Sequence, residues 1–313
     1  MRIVFMGTAD FAVPCLKALH GAGYEIAGVV TQPDRPKGRG RNLSPPPVKE
    51  AAQALGLPVF QPEKVKAPES IKRIEGMQPD CIVVVAYGQL LPDALLELAP
   101  YGCINVHASL LPEYRGGAPM HRAIMDGKEK TGVTTMFVSR KLDAGDIILQ
   151  SPRLIPEEMT VGELHDLLAA DGAQLLLETL ALLQKGEAPR RPQEEEKATY
   201  APLLTRADEW IDWRRPAKEV ANQVRGMDPW PGAYTRWQGK NLKIWKAQVV
   251  PQLDATGAPG TVVALDRAGV LVACGDGQGI LVKELQLAGK KRMTTEEFIK
   301  GNPLVPGTIL GCD

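Results

Sequence analysis

Asn105 and His107 stand two residues apart in the apolar run Cys103-Ile104-Asn105-Val106-His107. On a β-strand alternate side chains share a face, so the amide and the imidazole emerge together while Ile104 and Val106 point the other way. An open parallel sheet places its ligands at the carboxyl ends of its strands, which is where this pair sits. A bare Asn-x-His can also be a strand end that hydrogen-bonds its own turn. The chain continues as Ser109-Leu110-Leu111-Pro112 and then Tyr114-Arg115-Gly116-Gly117, a glycine-rich path expected to keep a loop open beside the two polar side chains. Further on, Leu142-Asp143-Ala144-Gly145-Asp146-Ile147 reads on its own as an ordinary strand connection. Taken together, an amide donor, an imidazole and a carboxylate are the groups that acyl transfer to an amine requires. One holds the oxyanion, one manages protons and one orients and charges the ring. No Ser or Cys occupies a nucleophile elbow, so the transfer is expected to be direct rather than through an acyl-enzyme.

The elements that must position these groups are legible in the periodicity. Arg2 to Met6 and Cys81 to Tyr87 read as buried strands, and Tyr24 to Thr31, the short Val59-Phe60 and Cys103 to His107 as further strands. Between them lie amphipathic segments at about 11–22, 48–55, 68–76 and 92–98, the pattern of a parallel sheet covered by helices. Gly132 to Val138 and Ile147 to Gln150 suggest further strands, and Thr160 to Leu183 a long Leu-rich helix with a Thr160–Glu163 capping box. Its stripe of Leu164, Leu167, Leu168 and Leu175 is expected in the core. His20, His121 and His165 lie on predicted helices with no recognisable carboxylate spacing and read as surface or packing residues. The composition shifts between Glu187 and Leu204 to prolines and charge clusters. That divides the chain into an expected catalytic domain at 1–188, a linker at 189–205 and a C-terminal domain at 206–313. In the last of these a helix over 217–225 precedes short glycine-punctuated strands, the spacing of a small antiparallel barrel.

Several function classes are excluded. The turn after the first strand, Gly7-Thr8-Ala9-Asp10-Phe11, has one glycine where a dinucleotide fingerprint needs three, and no phosphate-binding GxxxxGK[ST] loop is present. NAD, FAD and ATP chemistry are therefore poor readings. With 37 Lys and Arg against 37 Asp and Glu the formal charge is zero, which rules out a uniformly basic nucleic-acid coat but not a local patch. The five cysteines are widely spaced with no Cys-x-x-Cys, so reduced thiols and no metal site are expected. No apolar run approaches the roughly 18 residues of a membrane span, and no leader composition precedes the first strand. The cytoplasm is the expected compartment.

The segments MGTADFAVPCL, VVTQPDRPKGRG, VVVAYGQLLP, INVHASLLPEYRGGAP, LDAGDI, DPWPGA and LAGKKRM, in that order, closely resemble the bacterial methionyl-tRNA formyltransferase family over essentially the whole chain. The resemblance implies an α/β fold, a Rossmann-like formyltransferase domain followed by a small OB-like β-barrel. It implies transfer of a formyl group from 10-formyltetrahydrofolate to the amino group of methionine on initiator tRNA. By the same resemblance Asn105, His107 and Asp143 are the catalytic residues, with Asn105 and protonated His107 donating to the developing oxyanion and Asp143 assisting. Ser109, Leu110, Leu111 and Pro112 correspond to the folate-contacting segment, and Tyr87, Gln89, Leu90 and Leu91 to a wall of the pterin pocket.

The loop Gln32 to Leu43 holds Arg35, Lys37, Arg39 and Arg41 against the single acid Asp34, interleaved with Pro and Gly. In the family this loop enters the tRNA acceptor end, and Arg39 matches its key contact. In the C-terminal part, Lys243, Lys246, Lys290, Lys291 and Arg292 are candidates for phosphate contacts, while most of the tryptophans are expected in the core. The expected partner is initiator methionyl-tRNA, with no DNA or membrane and a monomeric chain. Relatives acting on an amino-sugar nucleotide or a purine precursor, or hydrolysing the folate, would share the Asn-x-His, SLLP and Asp-x-Gly pieces. A non-enzymatic RNA-binding protein on a degenerate domain is the reading from a different class. The basic loop and the C-terminal barrel favour tRNA over the small acceptors, and the complete trio argues against loss of activity.

Overall fold

The computed structural model describes residues 1–37, 42–250 and 257–311. It divides into two compact units, one of residues 1–119, 130–154 and 165–201, the other of 120–129, 155–164 and 202–313.

The first unit is built on a seven-stranded sheet of order β5-β2-β1-β6-β7-β8-β9. Its strands are β1 (Arg2–Gly7), β2 (Glu25–Val30), β5 (Val59–Phe60), β6 (Cys81–Val85), β7 (Cys103–His107), β8 (Lys130–Phe137) and β9 (Ile147–Leu154), with the short hairpin β3 (Arg35–Lys37) and β4 (Asn42–Ser44) outside it. Strands β5 through β7 pair in parallel. Such strands are covered on both faces, which is why β6 reads as unbroken Cys-Ile-Val-Val-Val and is buried at every position. Strands β7, β8 and β9 pair antiparallel, so the sheet is mixed at that edge. The connection from β8 to β9 is shorter than the dozen or so residues a parallel crossover needs. Helices α1 (Val13–Gly21), α2 (Pro47–Ala54) and α3 (Pro68–Glu75) each carry proline in the first turn, where its missing N–H costs no hydrogen bond. A single turn, α4 (Asp93–Leu96), follows β6. Val4, Met6, Val30, Ile74, Ile82, Val84 and Leu95 form one core cluster of this unit.

The chain runs outward from β1 to β2 and β5, then returns to place β6 on the other side of β1. That reversal of strand order leaves a crevice outside the carboxyl ends of β1 and β6, the place where doubly wound sheets bind ligands.

Helix α6 (Val161–Lys185) begins at the expected box: Thr160 N–H donates to Glu163 Oε2 at 2.8 Å, and Glu163 N–H to Thr160 Oγ1 at 3.3 Å. Of its leucine stripe, Leu164, Leu168 and Leu175 are buried, but Leu167 is exposed. A step of three residues stops about 60° short of a full helical turn, enough to carry Leu167 off the apolar face.

The second unit contains α5 (Pro119–Met125) over most of its length, α7 (Arg206–Glu209), α8 (Ala217–Arg225) and α9 (Thr295–Gly301). Its antiparallel sheet has the order β10-β11-β14-β13-β12, with β15 paired to β14. The strands are β10 (Tyr234–Trp237), β11 (Lys240–Val250), β12 (Val262–Leu265), β13 (Val270–Ala273), β14 (Gly279–Leu287) and β15 (Met293–Thr294). They make an antiparallel half-barrel whose core joins Trp213, Val220, Val224, Trp237, Leu242, Ile280 and Phe298. Trp213, Trp237 and Trp245 are buried, as expected of aromatic residues in a small β-domain, and Trp230 is exposed.

Candidate active site

Asn105 and His107 lie on the same face of β7, opposite Met136 and Thr134 of β8. His107 is buried. Its Nε2 lies 3.0 Å from the Tyr114 carbonyl, and since a carbonyl can only accept, Nε2 bears the hydrogen in this arrangement. Nδ1 is then the nitrogen that faces Asp143, whose Oδ2 is 3.7 Å away. That distance is ion-pair range and too long for a direct hydrogen bond. The same Oδ2 accepts the Gly116 N–H at 2.8 Å. Asn105 is half-buried, and among the described residues no hydrogen bond occupies its amide. The structure thus brings Asn105, His107 and Asp143 together at the end of β7.

Asp143 has φ +49°, in the left-handed region that aspartate tolerates better than most residues. Two residues on, a Cβ at Gly145 would lie 1.7 Å from the Phe137 carbonyl oxygen, so no larger residue fits the turn there.

The Ser109–Pro112 segment is shaped by side chains from the antiparallel edge. Thr134 Oγ1 donates to the Ser109 carbonyl at 2.6 Å and accepts the Leu111 N–H at 3.1 Å, while Gln150 Nε2 donates to the Leu111 carbonyl at 2.9 Å. The Leu111–Pro112 peptide is cis. Ser109 is fully buried with its hydroxyl donating to Glu113 O at 2.6 Å, Leu111 is buried and Leu110 is half-buried.

The segment after β6 contributes differently from residue to residue. Tyr87 packs its ring into the core between sheet and helices, where burial pushes its phenol up to about 12. What it offers the crevice side is its carbonyl, which accepts from Thr8 Oγ1 at 2.8 Å and Gln32 Nε2 at 3.3 Å, tying together the loops that leave β1, β2 and β6. Gln89 accepts the Val65 N–H at 2.8 Å, Leu91 is half-buried, and Leu90 is 74% exposed.

The path Tyr114 to Gly117 is not the open loop its glycines suggest. Arg115 N–H donates to Thr199 O at 2.9 Å and its carbonyl accepts the Ala201 N–H at 2.7 Å, so residues 199–201 strap it down. Gly116, at φ +123°, leaves no room for a Cβ, which would meet Ala201 O at 2.7 Å. The Arg115 side chain is 1% exposed and is gripped by Gln193 and Glu195. Neither Arg115 nor Gln193 carries a local signal: their partners lie tens of residues away in a stretch that composition marks only as charged and proline-rich.

His165 also departs from expectation. It has two carboxylates, with Nε2 3.3 Å from Asp10 Oδ1 and Nδ1 3.0 Å from Asp166 Oδ1. The Asp10 carboxylate beside Nε2 raises the His165 pKa above the ordinary histidine value despite burial, and the imidazole in turn lowers that of Asp10. His121 Nδ1 donates to the Gly226 carbonyl at 2.8 Å, and the ring packs edge-on to Trp230.

Of the basic candidates, Arg39 and Arg41 lie outside the described residues. Arg35 is exposed and pairs with Glu63 at 2.9 Å, and Lys37 closes the short hairpin strand. In the second unit Lys246, Lys290 and Lys291 are exposed. Lys243 Nζ donates to Pro231 O at 2.6 Å. Arg292 bridges Asp228 at 2.7 Å and Glu284 at 2.6 Å beside the Trp245 ring, so much of its donor capacity is already engaged within its own unit.

Among the described residues no group of three or more His, Cys, Asp or Glu could hold a metal, and no helix is long and apolar enough to cross a membrane. Cys15, Cys81, Cys103 and Cys274 are free and buried, and burial pushes the thiols up, to about 12 for Cys15 and Cys103.

Residues 1–180 match the formyl transferase family model and residues 203–303 that of the formyl transferase C-terminal domain. Methionyl-tRNA formyltransferase of Desulforamulus reducens is 54% identical over 99% of this chain and 98% of its own length, and that of Bacillus subtilis is 53% identical over 99% and 98%. Among solved structures, HypX from Aquifex aeolicus in complex with tetrahydrofolic acid aligns with TM-score 0.66 at 20% identity, over 96% of this chain and 48% of that one. The sugar 3N-formyl transferase WlaRD aligns with TM-score 0.66 at 17% identity, over 93% and 99%. Those two likenesses speak to the fold; the sequence relatives, similar over nearly the whole length, establish that the chain belongs to the methionyl-tRNA formyltransferase family of enzymes.

Proposed function

We propose that the protein transfers the formyl group of 10-formyltetrahydrofolate to the α-amino group of methionine on initiator tRNA, at the end of β7. The observation that carries this reading is that Asn105 and His107 share one face at the end of β7 with the Asp143 carboxylate 3.7 Å from the imidazole, within a chain of this family. The amine attacks the formyl carbon and a new C–N bond forms. The carbonyl oxygen becomes an oxyanion, to which the Asn105 amide and the Nδ1–H of protonated His107 donate. Nε2 stays on the Tyr114 carbonyl, which keeps the ring's orientation fixed through the step. Asp143 serves as the counter-ion beside Nδ1 and takes part in removing the proton from the attacking amine. Collapse of the tetrahedral intermediate breaks the bond to the folate nitrogen, which leaves with a proton.

The donor is proposed to lie along Ser109, Leu110, Leu111 and Pro112 and against Gln89, Leu90 and Leu91, with Tyr87 contributing its backbone. Residues 1–188 would then carry the chemistry, 189–205 the connection and 206–313 part of the tRNA grip. Arg35, Lys37, Arg39 and Arg41 approach the acceptor end. Lys246, Lys290 and Lys291 contact phosphates, and so do Lys243 and Arg292, whose donors are already partly engaged by Pro231, Asp228 and Glu284. Such contacts give affinity and salt dependence rather than base readout. A formylation assay with initiator methionyl-tRNA, elongator methionyl-tRNA and free methionine as acceptors tests the reading. The initiator is expected to be preferred by about 10²-fold or more, the range that tRNA contacts can supply; equal activity on free methionine would overturn it.

A further inference from the structure

The Asp143–Gly145 turn is held from outside as well as by its own backbone bonds, Ala144 N–H to Lys141 O at 3.4 Å and Phe137 N–H to Asp146 O at 3.0 Å. Gln193 Nε2 donates to the Asp143 carbonyl at 2.9 Å and to the Gly145 carbonyl at 2.8 Å, which uses both hydrogens of one amide. The other end of the same amide is equally committed: Oε1 accepts from Arg115 Nε at 3.1 Å and Nη2 at 2.9 Å. Rotating the amide by half a turn would set its oxygen against two carbonyls and its NH₂ against a guanidinium, so its orientation is fixed by its partners. Arg115 in turn spends its remaining nitrogen on Glu195, 3.1 and 3.0 Å from the two carboxylate oxygens, which balances the charge of an almost fully buried guanidinium.

The next residue along, Gly116, donates its N–H to the Asp143 carboxylate at 2.8 Å. Residues 115 and 116 therefore grip Asp143 twice, once through its carboxylate and once through its backbone by way of Gln193. The backbone at Asp143 is in the left-handed region and Gly145 is packed against Phe137, so the turn has little freedom to find another shape that keeps the carboxylate beside His107.

We infer that Gln193 is a positioning residue for formyl transfer: its amide locks the Asp143–Gly145 turn to Arg115 and so fixes where the Asp143 carboxylate stands relative to His107. This rests on the proposed catalytic role of Asp143. Outer-shell groups that orient metal ligands matter at about the 10- to 100-fold level without touching substrate, and the same scale is expected of an amide that orients a reacting carboxylate.

The test compares Gln193→Glu with wild type, alone and in an Asp143→Asn background. Glutamate keeps the length and can still pair with Arg115, but it has no N–H for the two turn carbonyls. With saturating acceptor, kcat is expected to fall about tenfold or more while the KM for the formyl donor stays within about threefold. In the Asp143→Asn background the same substitution is expected to cost less than about twofold, because the group it positions is already impaired. A wild-type kcat for Gln193→Glu, or an equal loss in both backgrounds, overturns the inference. Asp143→Asn with undiminished turnover sinks the reading of Asp143 itself, which is a separate result. Thermal melting reports whether the substituted chain is folded; if Gln193→Glu is not, Gln193→Met, of similar volume and without the donor, carries the same comparison.

Discussion

His107 and His165 are buried to the same extent, each 7% exposed, and each faces aspartate. In one, a ring nitrogen is anchored to a backbone carbonyl, the carboxylate stands off at 3.7 Å, and an unoccupied amide shares the face. In the other, both ring nitrogens are taken by acids at 3.3 and 3.0 Å, and Phe11 packs edge-on against the ring. The first arrangement leaves a nitrogen and a carboxylate poised for a third party. The second is closed on itself, an ion cluster that ties the start of the sheet's first loop to a helix. Burial and a neighbouring carboxylate do not by themselves mark a catalytic histidine. The gap left between the partners, and the second donor beside them, do.

That contrast is broken most sharply by replacing each histidine in turn. His107→Ala is expected to lower turnover by about 10³-fold, the combined scale of a lost oxyanion donor and a lost proton-transfer group. His165→Ala is expected to leave turnover within about threefold. A loss of turnover in His165→Ala comparable to that in His107→Ala would erase the distinction.

A smaller effect sharpens it from the side of stability. His165 has its pKa raised above 6.5 by Asp10, so its contribution is fully present below the unfolded histidine value and is lost as pH rises through the folded one. Asp10 has its pKa lowered below 3.8, so its contribution is present above that value and is lost as pH falls through the folded one. The cluster therefore stabilises most in the mildly acidic window between them. His165→Asn is expected to lower Tm by about 2 °C in that window, the modest size reflecting the exposure of Asp10, with the difference shrinking as pH is raised past the histidine range. A Tm difference that grows with pH would contradict the pairing.

The legibility of the two sites in the sequence depends on how local their partners are. The Asn105–His107 pair is readable because a strand's two-residue period fixes which side chains share a face. The helix at 217–225 and the strands at 103–107 and 279–287 fall where their apolar patterns put them. The half-barrel is readable from glycine punctuation for the same reason. His165 misleads because its main partner, Asp10, lies in the short 3-10 turn Asp10–Ala12 after β1, far from it in sequence. Gln193 and Arg115 are hidden likewise, since nothing within a few residues of either announces a contact across 78 positions. Two short helices do carry a local signal that their length obscures. Thr205–Asp208 and Thr294–Glu297 are capping boxes at the starts of α7 and α9. The antiparallel edge, β8 and β9, reads as two more strands of the same kind because strand direction leaves no mark on side-chain alternation.

The most direct test of formyl transfer at the end of β7 is single-turnover formylation of initiator methionyl-tRNA by Asn105→Ala, with affinity for the formyl donor measured on the same preparation. The account predicts a rate lowered by about 10²-fold or more, as for loss of an oxyanion donor, with donor Kd within about threefold of wild type. A matching loss of donor affinity, with turnover of the bound complex intact, would contradict it.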